Sequence, residues 1–510
     1  MPFNSIFAWI IKKRIHQIDL FKKYPFDVQQ ETFEKLIYIA KDTEWGKENH
    51  YSNIKSIQDF RENVPLQDYD DIKLWVDRIV KGEQNLLWPT EIKFFAKSSG
   101  TTSDRSKILP VTKEALEDCH QKGGKDLLAL YYSNYPEAKL YKGKHLVIGG
   151  SAETSPLSED SYLGDLSAII MKTLPWWAEI KRTPSREIAL MNEWESKIDK
   201  IARNTIDEDV CILVGVPSWT MVLANKILEI TGKKTLKEVW PNLELFMHGG
   251  VSFEPYQEEF KRVVGSPGIH YSESYNASEG FFGIQDQKEP GELLLMLDYG
   301  VFYEFIPMSN FEGTDSKTVL SLKEVELGVN YAIVISTNAG LWRYIIGDTI
   351  CFTSLKPFRF KITGRTKSFI NAFGEELIVD NTEQAIADVC LKTNSQIRDY
   401  TACPFFMDGK ERGKHQWLIE FIKSPDDIER FAFLLDEKLR DLNSDYDAKR
   451  TKNLVLDQLS VQVLEPGIFD FWLKSKGKLG GQNKVPRLSN NRNYYDEITG
   501  IIKSKNHEVL

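Results

Sequence analysis

Lys97-Ser98-Ser99-Gly100-Thr101-Thr102-Ser103-Asp104-Arg105-Ser106-Lys107 is a run dense in hydroxyls, with one glycine and a terminal base. That combination suits a bound anion. Gly100 can take positive φ, which lets consecutive backbone N–H groups converge, while Ser98, Ser99, Thr101 and Thr102 add hydroxyl donors and Lys107 adds charge. The flanks have the order of a phosphate cradle: Ile92–Ala96 favours a strand, and Thr112 is placed to cap a helix opening at Lys113. The second glycine of GxxxxGK[ST] is absent, so this is no Walker loop. An ordinary solvated turn uses the same residue types.

Three further clusters carry groups suited to nucleotide chemistry. In Tyr271–Gly280 (YSESYNASEG) a strand runs into a polar loop with two glutamates, and a carboxylate there suits Mg²⁺, which prefers oxygen ligands and often also bridges phosphates. In Gly340–Asp348 (GLWRYIIGD) an apolar strand turns at Gly347 and presents Asp348, a carboxylate able to accept both hydroxyls of a ribose. Lys484 lies in a basic loop, Gly480–Arg487. Each has a bland counterpart: a solvated strand end, a turn aspartate and a solvated lysine.

Taken in order, SSGTTSDRSK, YNASEG, LWRYIIGD, TGR and QNKVPR resemble the adenylate-forming enzymes, most closely the auxin-responsive Gretchen Hagen family of acyl acid amido synthetases. The resemblance runs over nearly the whole chain and includes Leu442–Tyr446 and Leu464–Asp470. It implies a ligase that uses ATP and Mg²⁺: a small carboxylic acid attacks the α-phosphate to give an acyl-adenylate, and an amino-acid amine then displaces AMP. It also implies roles. Ser98, Ser99, Gly100, Thr101, Thr102 and Lys107 hold phosphates, Tyr275 and Ser278 lie beside the nucleotide, Glu279 holds Mg²⁺, and Asp348 holds the ribose. Arg365 matches the basic residue at the domain hinge, and Lys484 the lysine that swings onto the α-phosphate. Chemistry of this kind needs positioning and charge neutralisation more than a covalent nucleophile.

The chain departs from the plant pattern at Asp104, Ser106 and Ile345, and residues 150–208, where the acid is expected, offer no residue match. The acid and the amine stay open. A coenzyme A ligase sharing the adenylation step and a non-catalytic nucleotide-binding scaffold are the competing expectations.

The elements that must position these groups read as follows. The helical opening includes Phe26–Ala40, apolar at Phe33, Leu36, Ile37 and Ala40. Lys144–Gly150, Val210–Val216 and Leu243–Gly250 are apolar runs ending in glycine or turning into a helix, and Ile269–Tyr271 begins another. Such alternation predicts a mostly parallel sheet flanked by helices. After Pro290 the short strand-like runs predict an antiparallel β subdomain. A polar break at Thr363–Thr366 marks the expected hinge between a large adenylation domain, 1–363, and a small mobile α+β domain, 364–510. Trp176 and Trp177 are expected in packing or at a subdomain contact rather than lining a pocket.

Bulk properties narrow the partners. With 65 Lys and Arg against 74 Asp and Glu the net charge is −9, which argues against a broad nucleic-acid or anionic-membrane surface. Five scattered cysteines without CxxC spacing argue for a reducing compartment and against structural zinc. No run approaches a membrane span, so a cytoplasmic enzyme is expected, with small carboxylic acid and amino acid substrates and an undetermined oligomeric state.

Overall fold

The structure is a computed structural model that describes every residue except 1, 99–106, 151–160, 192, 251–252, 254–255, 367–368, 371–374, 376, 406–412, 444–445, 448–449, 451–455, 478–483, 490 and 508–510. The chain forms two compact units. One comprises Met1–Gly100, Arg105–Ile346 and Ile350–Lys361, and the other gathers Gly347–Thr349 with Ile362–Leu510.

Strands β1 (Phe94–Ser98), β2 (Lys107–Val111), β3 (Lys144–Val147), β4 (Tyr162–Gly164), β5 (Arg182–Thr183), β6 (Val210–Gly215), β7 (Leu245–Gly249) and β8 (His270–Ala277) come first in the chain. They are followed by β9 (Gly280–Ile284), β10 (Leu293–Leu295), β11 (Val301–Pro307), β12 (Leu320–Ser321), β13 (Asn330–Thr337), β14 (Tyr344–Leu355) and β15 (Phe358–Arg365). Twelve of these form one sheet, ordered β12-β11-β13-β14-β15-β10-β9-β8-β7-β6-β3-β5. β5, β3, β6, β7 and β8 are parallel, and the direction changes where β9 pairs antiparallel with β8. The antiparallel strands expected after Pro290 are present from β10 to β15, and they extend the parallel sheet, because the tight turn after β8 returns the chain along the same edge.

The apolar runs of β6 and β7 are buried on both faces, as a helix-covered parallel sheet requires. Ile212, Leu245 and Met247 face a core shared with the helices Pro2–Lys23 and Gln121–Asn134, through Ile18, Phe21, Leu127 and Leu130. Leu213 and Phe246 face the opposite core, closed by the helices Trp194–Thr205, Pro217–Thr231 and Gln257–Val264. The helix Pro25–Ala40 buries Phe33, Leu36, Ile37 and Ala40, the face its spacing predicts. Trp176, however, is 74% exposed, which corrects the expectation of core packing.

β15 runs on through Thr363, Gly364 and Arg365, where the polar composition predicts a break. The hydroxyl of Thr363 is satisfied by Thr349 Oγ1 at 3.0 Å, and the Thr366 N–H donates to Gly347 O at 2.8 Å. Polar side chains do not end a strand whose partners accept them.

In the second unit, β16 (Phe369–Ile370) and β17 (Leu377–Ile378) pair, and a three-stranded sheet joins β18 (Gln396–Phe405), β19 (Lys414–Lys423) and β20 (Ser460–Leu464). The helices Val379–Thr393 and Ile428–Leu442 cover one face through Ile386, Val389, Phe431 and Leu435 against Tyr400, Trp417 and Ile419. The helices Ile468–Ser475 and Asn493–His507 cover the other through Ile468, Phe469, Trp472 and Ile498 against Leu418. This two-faced α+β unit carries β18 and both late helices in addition to the elements legible in the sequence.

Burial also sets an acid limit. The imidazoles of His120 and His145 are pushed down to about 4, and that of His248 to about 3, in each case chiefly by loss of hydration. A depressed folded pKa favours the neutral ring, so this stability is present above the unfolded value of about 6.5 and is lost as pH falls below it. At pH 5 each ring is expected to remove about 2 kcal/mol. Melting midpoints recorded from pH 7 down to pH 4.5 should fall steeply below 6.5, and a flat profile would contradict neutral burial.

Candidate active site

Two groups of side chains matter, one on each unit. On the first, the β1–β2 ladder is antiparallel and sets Ser98 opposite Lys107, so the hydroxyl-rich loop is the connection of a hairpin. Ser99, Gly100, Thr101 and Thr102 lie outside the described residues, as does Asp104. The Lys107 ammonium is 5.6 Å from the centre of the Tyr69 ring, a cation–π distance, while Tyr69 accepts the Ile108 N–H at 2.8 Å. Thr112 caps as its spacing predicts: Oγ1 accepts from Ala115 N at 3.0 Å and donates to Asn338 O at 2.7 Å.

The helix that Thr112 opens widens into a π-helical stretch, Ala115–His120, a form often found at functional sites. Its last two residues hold the β8–β9 hairpin. His120 Nδ1 lies 3.0 Å from Asn276 Oδ1, and Phe281 N donates to Cys119 Sγ at 3.2 Å. A neutral His120 can donate that hydrogen to the amide oxygen, and its low pKa keeps it neutral. On the hairpin itself, Tyr275 is buried with its ring against Phe282, Ser278 is half-buried in the turn, and Glu279 is buried beside it. His120 is a positioning residue that carries no recognisable pattern in the sequence. Among the described residues no group of three His, Cys, Asp or Glu side chains could hold a metal on its own. A single carboxylate such as Glu279 fits Mg²⁺ that arrives with a phosphate substrate, since that ion keeps several waters and needs only one or two protein carboxylates.

On the second unit Asp348, Arg365 and Lys484 come together. Arg365 Nε donates to Asp348 Oδ1 at 2.7 Å, with the aspartate buried and the arginine partly exposed. The strand does not turn at Gly347 as its glycine suggests: Gly347 and Asp348 both lie within β14, where Gly347 takes a φ of 93° that only glycine adopts without strain, so a local kink inside the strand presents Asp348. The segment after Lys484 is pinned to β18: Thr401 Oγ1 donates to Pro486 O at 2.6 Å, Ala402 N to Arg487 O at 2.9 Å and Ser489 N to Ala402 O at 3.0 Å. Val485 is buried in the same unit. The anchored chain thus delivers Lys484, an exposed residue whose ammonium lies in the field of Arg365 and Asp348. Loss of water, then repulsion from Arg365, pushes its pKa down to about 8, with Asp348 opposing the shift. Two cations beside one carboxylate are a donor set fit for a phosphate ester of a sugar.

Arg343, in the GLWRYIIGD cluster, does different work. It sits at φ of 43°, buried, with Nε donating to Glu304 Oε2 at 2.9 Å and Nη1 to Val64 O at 2.7 Å. Arg61 Nε donates to the other oxygen of Glu304 at 2.8 Å.

The N-terminal domain of the GH3 family matches residues 14–269, its central domain 294–365 and its C-terminal domain 380–493. Among relatives, the chain is similar to 4-substituted benzoates-glutamate ligase GH3.12 of Arabidopsis thaliana, at 25% identity covering 91% of this chain and 96% of the relative. It is similar to jasmonoyl-L-amino acid synthetase GH3.5 of Oryza sativa subsp. japonica at 23%, covering 94% and 95%. In fold it resembles the solved GH3.15 acyl acid amido synthetase, with a TM-score of 0.75 at 19% identity over 93% of both chains. It also resembles 2-hydroxyisobutyryl-CoA ligase, with a TM-score of 0.59 at 11% identity over 93% of this chain and 91% of that one. With all three family domains matched in order along its length, the chain belongs to the GH3 family.

Proposed function

We propose that this chain joins a small carboxylic acid to the amine of an amino acid in two steps, first forming an acyl-adenylate and pyrophosphate from ATP, then an amide and AMP. The observation that carries the reading is the convergence of Asp348, Arg365 and Lys484. Lys484 neutralises charge at the α-phosphate as the acid attacks, Asp348 accepts the ribose hydroxyls, and Arg365 orients Asp348 and adds a second cation. Ser98, Ser99, Gly100, Thr101, Thr102 and Lys107 hold the departing pyrophosphate, and Tyr275 and Ser278 flank the nucleotide. Glu279 would hold Mg²⁺, which supplies further charge neutralisation on the phosphates. Residues 1–363 act as the adenylation domain, and 364–510 as a smaller domain whose closure brings up the lysine. Relatives named as ligases of benzoates or jasmonate with amino acids support the substrate class. All five cysteines are free thiols, and no helix among the described residues is long and apolar enough to cross a membrane; both suit a cytoplasmic location.

The likeness in fold to a coenzyme A ligase favours one second reading, with a thiol as acceptor. Pyrophosphate release assayed with a panel of carboxylic acids, each with amino acids or with coenzyme A, separates the two. Acid-dependent release completed by an amino acid is expected, and release with no acid at all would overturn the adenylation reading.

The lysine predicts a pH limb. Its ammonium is charged below about 8 and neutral above, so kcat/KM for acid activation should fall as pH rises through about 8. Arg stays charged throughout that range, so Lys484→Arg should lose the limb even if slower. The same limb persisting in the arginine variant would assign it to another group.

A further inference from the structure

The amine acceptor has no assigned site, and one pair of titratable groups on the sheet remains unused. His248 is the fourth residue of β7, at its carboxyl end, and Glu273 is its register partner on β8. Parallel register partners project from the same face, and the aromatic contacts agree. The His248 ring stacks on Phe253 at 4.2 Å between centroids, Phe253 touches Tyr271 at 4.9 Å, and Glu273 lies two residues after Tyr271 on the same strand. The carboxyl ends of parallel strands are where open α/β sheets bind ligands.

Among the described residues neither side chain has a charged partner. His248 is 4% exposed, yet its Nδ1 has no hydrogen-bond partner among the described residues. The Glu273 carboxyl is partly buried, and burial alone pushes it up to about 7, with no cation offsetting the loss of water. Glu273 N–H is taken up by Gln285 Oε1 at 3.1 Å, so the strand position is held while the carboxyl is left for another partner. A buried polar atom without a partner is uncommon, and His248 Nδ1 beside a half-buried carboxyl on the adjacent strand of the same face points to a ligand that completes both.

We propose that Glu273 and His248 form the subsite for the ammonium group of the amino-acid acceptor, which rests on the ligase reading above. The chemistry selects this substrate over the other. An acid's carboxylate would meet Glu273 as a like charge, whereas an ammonium supplies the missing counter-charge, and the imidazole nitrogen accepts a second N–H. Glu273 is also placed to activate it. The carboxylate takes one proton from the ammonium, and the freed lone pair forms the C–N bond at the acyl carbon. The bond from that carbon to the phosphate oxygen breaks, its electron pair leaves on AMP, and the second N–H proton passes to solvent. Glu279, six residues on, is left to the metal.

The test uses the full chain with ATP, Mg²⁺ and an acid that supports pyrophosphate release, and compares two nucleophiles. One is the amino acid that gives most product, and the other is hydroxylamine, which is uncharged at neutral pH and needs no ammonium subsite. In Glu273→Gln, kcat/KM for the amino acid is expected to fall on the order of 10²-fold, the usual worth of a general base. Hydroxamate formation, which reports the adenylation half, should stay within about twofold of wild type by the same comparison. His248→Phe, which keeps an aromatic ring against Phe253, should raise KM for the amino acid with hydroxamate formation again preserved. Amide and hydroxamate formation falling together, or neither changing, would overturn the subsite. A wild-type chain that forms no hydroxamate from any acid overturns the ligase reading, and the subsite with it.

Discussion

Replacing Lys484 with alanine is expected to slow acid activation by about 10²- to 10³-fold, the usual loss when one charged donor is removed from developing phosphate charge. The structure supplies the reason for so large an effect. Lys484 stands beside Asp348 and Arg365, and the ion pair between those two leaves Arg365 partly committed to its carboxylate. Of the two cations, Lys484 is the one with no ion pair among the described residues, so alanine at 484 removes the charge not already committed to a carboxylate. Because the ammonium matters most as charge shifts at the α-phosphate, kcat should fall while KM for ATP changes little. Pyrophosphate release under saturating acid and ATP measures this directly. Lys484→Arg should recover part of the rate, and release unchanged in Lys484→Ala would remove the lysine from the mechanism.

The second large effect is on stability. Glu304→Ala is expected to destabilise the chain by about 3–5 kcal/mol, the cost of leaving a buried charge without its partner. Glu304 is 1% exposed and serves two cations, Arg343 at 2.9 Å and Arg61 at 2.8 Å. Arg343 is itself 4% exposed and sits in a left-handed backbone conformation, so its guanidinium cannot swing out to water without dragging the Leu341–Tyr344 turn with it. Thermal unfolding of the full chain should show a midpoint lower by roughly 5–15 °C, taking a few degrees per kcal/mol for a unit of this size. The half-exposed Arg78–Glu44 pair, at 2.7 Å, is the control: breaking it should move the midpoint far less. Equal effects from the two pairs would refute the burial argument. Arg343 thus lies within a chemistry-like motif while holding the fold together.

What could be read in the amino-acid order is local. Apolar runs such as Val210–Gly215 and Leu245–Gly249 announce strands because burial on both faces needs unbroken hydrophobicity, and their closing glycines mark where the chain turns at the sheet edge. The Phe33, Leu36, Ile37 and Ala40 face announces its helix by spacing alone, and Thr112 its cap. The ordered motifs were enough to identify the family, since each needs only a few neighbouring residues to be recognised. Tertiary structure decided what depends on partners far apart in the chain. It brought Asp348, Arg365 and Lys484 into one cluster, clipped Asn276 to His120 and gave Arg343 to Glu304. It joined the parallel and antiparallel strands into one sheet, carried β15 through Thr363–Arg365 and left Trp176 exposed. The division has one physical cause. Propensity and periodicity act between neighbours, whereas desolvation and charge pairing depend on what else occupies the surrounding space, and only the folded chain determines that.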